Sequence, residues 1–263
     1  MSAAYRPSPE TDPDIFLPLI LPILISSIQT NSFLDESLAV LTRTLHFRQS
    51  KTSPSSLSPH ITVPLCGLLP TVASIHADPL VRHQAFRVLS LLLVASEPQL
   101  RFRHLMELTS DSEFPQMRVA SVGLVKEALL EALSLPTSTD NIFLTSFLRS
   151  FGTILFRANP SDLFASGNLT LGEFRDSHEP QRLVACLSLY YVLLLRDRNN
   201  LVGPFVSSLN SCTQNCSFFA QTGIRDTSVL KAVETNLLTP LRSHLERWTT
   251  ESTGKKIHIV HFT

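Results

Sequence analysis

The chain has 263 residues, which is enough for one large helical array or two ordinary domains. Hydrophobic residues make up 43% of it, a fraction that excludes disorder of the chain as a whole. Because 22 Lys and Arg balance 22 Asp and Glu, no bulk basic charge exists to hold nucleic acid. Only 8 glycines are present and leucine is abundant, which favours helices over a β-sandwich with its many tight turns.

The first predicted helix is strongly apolar. Residues 1–14 before it are rich in proline and small polar residues, and we expect a flexible lead-in there. Residues 15–28, IFLPLILPILISSI, form a run that is shorter than a membrane span and contains Pro18 and Pro22. No basic stretch precedes the run, as a secretory signal would require. We therefore predict a kinked buried helix and no membrane span, with a helix on a membrane surface as the alternative.

Two further helices are predicted on either side of a linker. Asn31 or Ser32 is expected to cap the first, which ends near residue 46. Residues 49–59, QSKTSPSSLSP, have no apolar period and are rich in serine and proline, which predicts a mobile loop. Residues 61–77 then return to an apolar helix that its internal prolines are expected to break or bend.

Residues 77–133 carry the clearest helical pattern in the chain. Asp78 suits an N-cap, and Pro79 follows at the first helical position, where a missing N–H has no cost. The apolar residues of this helix recur at helical spacing. They are Val81, Ala85, Val88, Leu89 and Leu92. This pattern predicts one apolar face that packs inward.

Two more helices complete this region. A short one is expected after Pro98, and Asp111 or Ser112 is expected to cap a longer one. The inward residues are Leu100, Leu105 and Leu108 in the short helix, and Met117, Ala120, Leu124 and Ala128 in the longer one. Consecutive helices with short connections pack antiparallel, and stacked pairs make α-solenoids. The predicted fold is therefore all-α, a HEAT/armadillo-like α-solenoid of stacked antiparallel helices over residues 15–249.

Aromatic residues mark the next predicted helix, which follows an Asp140 cap and runs from 141 to about 158. Its inward residues are Phe143, Phe147, Phe151, Leu155 and Phe156. Aromatics at helical spacing without polar anchors indicate a core and not a ligand site. After an irregular stretch, residues 174–197 repeat a polar, proline-containing start followed by a leucine-rich helix, which indicates irregular internal repetition.

The C-terminal part is expected to hold two more helices and a tail. One begins near Asn200 and runs to about residue 220. Asp226 is expected to cap the last one, which Pro240 kinks. The inward residues of that helix are Leu230, Val233, Leu237, Leu241, Leu245 and Trp248. Residues 250–263 end in a β-like alternation without a partner strand, which predicts a tail or an edge segment.

The sequence gives little indication of catalytic chemistry. It has no phosphate-binding loop, dinucleotide turn, nucleophile elbow or zinc-protease helix motif. Cys212 and Cys216 lie four residues apart, but a zinc site needs a second pair, for which only His258 and His261 are candidates. Three interpretations of these cysteines remain: two ordinary thiols, a redox-sensing pair, or a Cys–His nucleophile that assembles in the fold. We predict no metal, no cofactor and no enzymatic activity.

The other two cysteines bear on where the protein resides. Cys66 and Cys186 each lie in an apolar helical run, as buried reduced thiols do. Together with the lack of a secretory signal, this usage fits a reducing compartment. We therefore expect a cytoplasmic protein that can also be nuclear.

Arginine stands out in the central region. It alternates with histidine along three predicted helices: Arg82, His83, Arg87, Arg101, Arg103, His104 and Arg118. One interpretation is a solvated face whose ion pairs contribute about 0–1 kcal/mol each. The other is a binding surface, because a solenoid places equivalent helices side by side and arginine is enriched at protein interfaces. The predicted partner-binding residues are Arg82, His83, Arg87, Arg101, Arg103 and Arg118.

The same region carries a resemblance to a known family. The run DPLVRHQAFRVLSLLL, followed by QLRFRHLMELTSDSEFPQMRVASVGLVKEALL, resembles the C-terminal helical-repeat region of the glomulin, ALF4 and YAP-binding-protein family. The matching features are the acidic residue and proline before the first helix, its Arg-His pair, the LRF that opens the next helix, and VGLVKE. Members are usually much longer, so the resemblance implies that this chain represents chiefly their C-terminal part.

This resemblance implies a function as well as a fold. In that family the C-terminal repeats grip the RING subunit of cullin-RING ubiquitin ligases and cover the surface that recruits the ubiquitin-conjugating enzyme. The implied function is a non-catalytic scaffold that inhibits or tunes such a ligase, with the central arginines in the gripping surface. Fungal relatives are linked to oxidative-stress transcription factors and the kinetochore, so an adaptor of that kind, with Cys212 and Cys216 as a redox-sensitive pair, is the alternative.

Overall fold

The computed structural model describes residues 13–50, 55–110, 113–135, 141–165, 169–197, 201–202 and 223–260, and within these ranges it contains helices and no strand. The helices are α1 (Pro13–Thr30), α2 (Leu34–Gln49), α3 (Pro59–Ile75), α4 (Pro79–Ala95), α5 (Pro98–Ser110), α6 (Pro115–Ser134), α7 (Ile142–Thr145), α8 (Phe147–Ser150), α9 (Gly152–Leu155), α10 (Leu171–Asp176), α11 (Glu179–Arg196), α12 (Thr227–Val233), a π-helical segment (Glu234–Leu238) and α13 (Thr239–Val260). The chain divides into an N-terminal unit, Met1–His104, and a C-terminal unit, Leu105–Thr263. The predicted all-α fold of helices packed on one another is confirmed.

Leucine faces hold the N-terminal unit together. Helix α3 packs on α4 and α1, and α2 packs on α1 and α4. The fully buried leucines are Leu17 in α1, Leu38, Leu41 and Leu45 in α2, Leu65 and Leu69 in α3, and Leu89 and Leu92 in α4. Each contributes about 1.5–3 kcal/mol relative to an exposed side chain. Apolar faces therefore join α1 to α2 and α3 to α4, which neighbour each other along the chain, and also join α1 to α3 and α2 to α4, which do not.

Helix α4 confirms its prediction residue by residue. A carboxylate oxygen of Asp78 accepts a hydrogen bond from the Leu80 amide at 2.8 Å, and Pro79 begins the helix. The residues predicted to face inward are all buried, and none is more than 6% exposed. The prediction succeeds because the cap and the apolar period both act within one helix.

The turn between α1 and α2 differs from the prediction. Phe33, and neither Asn31 nor Ser32, stands at the N-cap of α2, and its side chain makes no capping bond. Asn31 and Phe33 have φ of 55° and 54°, values that residues other than glycine rarely adopt. The Ser27 hydroxyl lies within hydrogen-bond distance of the Ser32 and Phe33 carbonyls, and the Ser37 hydroxyl donates to Ser27 at 2.7 Å. A side chain of the preceding helix therefore stabilises the turn in place of a local cap.

Internal prolines do not interrupt the helices that contain them. Pro18 and Pro22 lie inside α1, and Pro64 and Pro70 lie inside α3. Each removes a backbone N–H from the helix interior, a change that costs about 3 kcal/mol. The helices persist because both bury apolar side chains against neighbouring helices. Of the two alternatives predicted for the third helix, a break is excluded, because α3 is continuous from Pro59 to Ile75.

The Ser/Pro-rich segment 49–59 is ordered at its C-terminal end. Residues 51–54 lie outside the described residues. Leu57 is buried, and its amide donates to the Ala95 carbonyl at 2.8 Å. The segment ends where Pro59 begins α3. This hydrogen bond ties the start of α3 to the end of α4.

The C-terminal unit begins with a regular helix. Helix α6 packs on α11 and α7. Its N-cap is Phe114, which makes no side-chain bond, whereas the predicted caps Asp111 and Ser112 lie outside the described residues. Of the residues predicted to face inward, Met117, Leu124 and Ala128 are buried, and Ala120 is half-buried. The inward face of α6 is therefore largely as predicted.

Three short helices replace the single helix predicted over 141–158. They are α7, α8 and α9, with four residues each. Asn141 caps α7 by accepting from the Phe143 amide at 3.0 Å, and the predicted cap Asp140 lies outside the described residues. The aromatic residues are buried as expected, and the ring centroids of Phe147 and Phe151 stack 5.5 Å apart. Packing of these rings fixes the segment although its helix is interrupted.

The last helix also departs from its prediction. Helix α12 passes through the π-helical segment into α13, which extends to Val260. The predicted inward residues Leu230 and Leu245 are 39% and 47% exposed, whereas Val233, Leu237 and Trp248 are buried. A π turn accommodates an extra residue, so a straight 3.6-residue period does not describe the buried face on both sides of it. The expected tail from residue 250 is helical as far as Val260, and residues 261–263 lie outside the described residues.

Candidate functional site

The turn before α4 places the first of the predicted binding residues. Arg82 is half-buried, and its Nη1 donates to the carbonyls of His76 at 2.6 Å and Ala77 at 3.0 Å. The Asp78 amide also donates to Nδ1 of His76 at 3.1 Å. The Arg82 guanidinium therefore fixes the turn that starts α4 through Nη1.

His83 and Arg87 lie on the exposed side of α4, one turn apart. Nη2 of Arg87 lies 3.0 Å from Nε2 of His46, which is exposed on α2. Arginine can only donate, so the His46 nitrogen accepts. Arg43 is exposed on α2 one turn before His46. We call the side chains of Arg43, His46, His83 and Arg87 the α2–α4 basic edge.

Acidic residues are absent from most of the two helices that form this edge. Helix α4 contains no Asp or Glu, and α2 has only Asp35 and Glu36, both in its first turn. The edge itself lies at residues 43–46 of α2 and 83–87 of α4. The sequence of the two helices therefore leaves the edge with a positive charge that neither helix neutralises locally. Such an edge suits a partner surface that carries carboxylates.

The other predicted residues do not join this edge. Arg101 on α5 is only 8% exposed, so little of it is open to a partner in this structure. Arg103, on the same helix, is exposed. Both residues have interaction partners within the protein. Arg118 is half-buried on α6 and belongs to the C-terminal unit, whereas the other five residues belong to the N-terminal unit.

The C-terminal unit contains a buried ion pair that the sequence analysis does not predict. Nε and Nη2 of Arg182 each donate to a different carboxylate oxygen of Glu179 at 2.7 Å, and the two residues are 3% and 6% exposed. Nη2 also donates to the Arg157 carbonyl at 2.5 Å, and Nη1 to the Ile154 carbonyl at 3.4 Å. Glu179 in turn accepts from the Asn159 amide at 2.9 Å. We call this arrangement the 179–182 clamp, because it ties the start of α11 to residues 154–159.

The clamp sits beside a buried thiol. Nη1 of Arg182 lies 3.5 Å from the sulfur of Cys186, which is fully buried. Burial raises the pKa of Cys186 to about 12, despite the nearby guanidinium, so the thiol stays protonated at neutral pH. Burial is the largest influence on the pKa of Arg182 and lowers it, but the hydrogen bonds to Glu179 and the charge interactions with Cys186 and Glu179 together outweigh burial and raise that pKa. The two groups therefore have a structural role in the packing of α11.

Only some of the cysteines and histidines considered for thiol or metal chemistry lie among the described residues. Cys66 is buried, like Cys186. Cys212, Cys216 and His261 lie outside the described residues. Among the described residues, no group of His, Cys, Asp and Glu side chains could hold a metal ion. In the part of the chain that the structure covers, no helix combines the length and apolarity that a membrane span requires.

The fold places the chain in the class of all-α proteins that resemble helical repeats. A family model described as "Uncharacterised protein family, YAP/Alf4/glomulin" matches residues 14–258. The chain therefore belongs to the YAP/Alf4/glomulin family, and the resemblance found in its sequence is confirmed. No curated protein and no solved structure shows significant similarity to it. Family membership supports a role in binding other proteins.

Proposed function

We propose that this protein is a non-catalytic scaffold that regulates a cullin-RING ubiquitin ligase. It would bind the RING subunit and cover the surface that recruits the ubiquitin-conjugating enzyme. The structural observation that supports the proposal is the α2–α4 basic edge. This edge is an exposed row of arginine and histidine side chains on two packed helices. Family membership supports a protein as the partner, and the resemblance to glomulin suggests a RING subunit.

The edge is held in place before any partner arrives. The Asp78 cap and a row of fully buried leucines fix α4, and the hydrogen bond between Arg87 and His46 joins α4 to α2. A rigid surface loses little conformational entropy on binding, and this preorganisation favours affinity. Arginine adds a planar, forked donor that can bind a carboxylate through two hydrogen bonds.

Masking a recruitment surface requires no reacting group. It requires a surface that is rigid and large enough to exclude the conjugating enzyme sterically. The described cysteines fit this role, because Cys66 and Cys186 are both buried, and the raised pKa of Cys186 keeps that thiol unreactive. We therefore assign inhibition to occupancy of the RING surface and not to modification of the ligase.

A reconstituted ubiquitylation assay tests the proposal. Purified protein should bind a RING subunit at micromolar concentration or below and slow the formation of ubiquitin chains. Arg87→Glu should weaken binding by about tenfold or more, because it places a negative charge at the centre of the basic edge. Arg175→Glu, on the exposed surface of α10, is the matched charge reversal and should leave binding unchanged. Absence of binding at micromolar concentration would contradict the proposal.

Arg82 and Arg87 should behave differently in this assay. Arg82→Gln removes the guanidinium group that donates hydrogen bonds to the His76 and Ala77 carbonyls, so we expect a lower melting temperature. Arg87→Glu should leave the melting temperature and the helical circular dichroism signal nearly unchanged, because its side chain is exposed. Equal loss of helical signal in both variants would make Arg87 a structural residue and remove it from the binding surface.

A further inference from the structure

A cavity of about 220 Å³ lies within the C-terminal unit. One wall comes from residues 148–157, which include α9, and the other comes from residues 229–236 of α12 and the π-helical segment. Most of the side chains that line it are apolar, among them Leu148, Phe156, Val229 and Val233. The cavity is therefore a hydrophobic recess between two short stretches of chain.

Glycine at position 152 keeps part of the recess open. A Cβ atom built there would meet only Leu148 Cδ2 at 3.9 Å and Phe156 Cδ2 at 4.0 Å, which are ordinary contact distances. Both of these side chains line the cavity. A larger side chain at this position would therefore grow into the recess without first meeting backbone.

Arg157 supplies the only charge among the lining residues. Its side chain is exposed, and no described residue forms a hydrogen bond or an ion pair with its guanidinium. Its carbonyl, by contrast, accepts from Arg182 in the 179–182 clamp. The clamp thus fixes the backbone of Arg157 while the cationic group stays available at the edge of the cavity.

The opposite wall contains an uncommon backbone feature. Asn236 lines the cavity and lies in the π-helical segment Glu234–Leu238, with its side chain exposed. Single π turns inside α-helices are rare and occur frequently at functional sites. This wall therefore offers a second polar group beside the apolar lining, one that can donate and accept hydrogen bonds.

We propose that this cavity is a docking site for a linear peptide segment of a partner protein, which inserts one large apolar side chain and places a carboxylate against Arg157. The volume favours this occupant, since sites for drug-sized ligands and cofactors measure about 300–1,000 Å³ whereas a cavity of about 150 Å³ holds a benzene ring. The charge favours it too, because arginine binds a carboxylate through its fork of donors. The site lies in the C-terminal unit, so it is independent of the α2–α4 basic edge and of the proposed function.

Selection from a displayed library of random dodecapeptides against the full-length purified chain provides the probe. The enriched peptides should share a Leu, Met, Phe or Trp with an Asp or Glu within about one helical turn. A fluorescein-labelled copy of the best peptide then serves for measurements of affinity by anisotropy. Failure to enrich such peptides, or enrichment of peptides without an acidic residue, would overturn the proposal.

Three variants locate the binding site on the chain. Gly152→Leu should fill the recess and reduce affinity at least about tenfold, and Arg157→Glu should do the same by repelling the peptide carboxylate. Arg149→Glu is the matched control, because Arg149 is exposed on α8 but does not line the cavity, and it should bind like the parent chain. If the parent, Gly152→Leu and Arg157→Glu chains bind equally, the peptide binds elsewhere and the proposal is wrong.

Circular dichroism spectra of the variants show whether each variant keeps its helical fold. If Gly152→Leu loses helical signal, Gly152→Ala takes its place in the comparison. The alanine adds a single methyl group at ordinary contact distance. Arg157→Glu changes only an exposed side chain and retains the backbone carbonyl that the clamp uses. A folded Arg157→Glu chain with unchanged affinity would by itself contradict the role of this charge.

Discussion

The two units of the chain reach a packed helical structure by different means. In the N-terminal unit, α1 to α4 are long helices of 16 to 18 residues joined by leucine faces. In the C-terminal unit, α7, α8 and α9 have four residues each, and aromatic rings and a buried ion pair hold them. A repeated apolar period indicates most of the inward residues of the first arrangement. The second depends on particular contacts between residues far apart in sequence.

Sequence separation shows part of this difference, although the N-terminal unit also has contacts between distant residues, such as that of Arg87 with His46. The indole N–H of Trp248 donates to the Leu169 carbonyl at 3.0 Å across 79 residues. Arg182 donates to the Arg157 carbonyl across 25 residues. By contrast, the Asp78 cap of α4 acts across two residues. Contacts that join distant residues leave no periodic pattern in the sequence, so single substitutions should affect the two units differently.

The largest effect should come from breaking the 179–182 clamp. Arg182→Met leaves the Glu179 carboxylate buried without its cation, and loss of one partner of a buried pair costs about 3–5 kcal/mol. Urea unfolding should show this loss as a lower free energy of unfolding. Arg196→Met, at the exposed end of the same helix, is the control and should change it by less than about 0.5 kcal/mol.

A second substitution in the clamp tests its cause. Glu179→Leu combined with Arg182→Met replaces the pair by apolar side chains and should recover part of the lost stability, because no charge stays buried alone. Recovery should be incomplete, since the Asn159 amide and the Arg157 carbonyl lose their partners. A double variant less stable than Arg182→Met would contradict the view that the unpaired carboxylate causes the loss.

A smaller effect is expected from the cap of α4. Asp78→Ala removes the acceptor of the Leu80 amide and should cost about 1 kcal/mol, as measured by urea unfolding. Ser58→Ala provides the comparison, because Ser58 occupies the N-cap of α3 without making a side-chain capping bond. If both substitutions have the same effect, the hydrogen bond of Asp78 does not stabilise α4.

The smallest effect is expected at Cys186. Its pKa is raised to about 12 by burial, so roughly one thiol in ten thousand is ionised at pH 8. A thiol reagent should leave Cys186 unmodified in the folded protein and modify it rapidly in urea, with mass spectrometry identifying the residue. The contrary result, equal rates in both states, would mean that α11 opens readily in the folded chain.

The sequence predicts the N-terminal unit better than the C-terminal unit. The cap, first proline and inward face of α4 all follow from local rules, and the structure confirms each. The start of α2 does not, because Ser27 of the preceding helix organises the turn at Phe33. A side chain that acts from another element is invisible to a pattern that considers one helix at a time.

Predictions in the C-terminal unit fail for related reasons. The aromatic residues of 141–158 are buried as expected, but no local signal indicates that their packing interrupts the helix at Ser146 and Phe151. In the last helix, the π-helical segment changes which residues face inward, as the exposure of Leu245 shows. The predicted core is therefore more accurate than the predicted helix boundaries.

The candidate site was predictable only in part. Exposure confirms His83, Arg87 and Arg103 as surface residues, but Arg101 is buried. Sequence spacing places a residue on a helix face, whereas its burial depends on which other helix covers that face. The cavity at Gly152 and Arg157 had a weak signal, a glycine within an aromatic segment followed by an arginine. The second wall comes from residues more than seventy positions later in the sequence, so spacing within the segment could not reveal it.

The chain contains one tryptophan, and its position gives the protein an internal optical reporter. Trp248 is 2% exposed in the C-terminal unit, with its ring centroid 5.1 Å from that of Phe174. Indole emission therefore originates from this unit alone and should shift to longer wavelength when water reaches the ring. Far-ultraviolet dichroism sums the helices of both units. Recording the two signals along one denaturant titration would show whether the halves of the chain melt together, without any added dye.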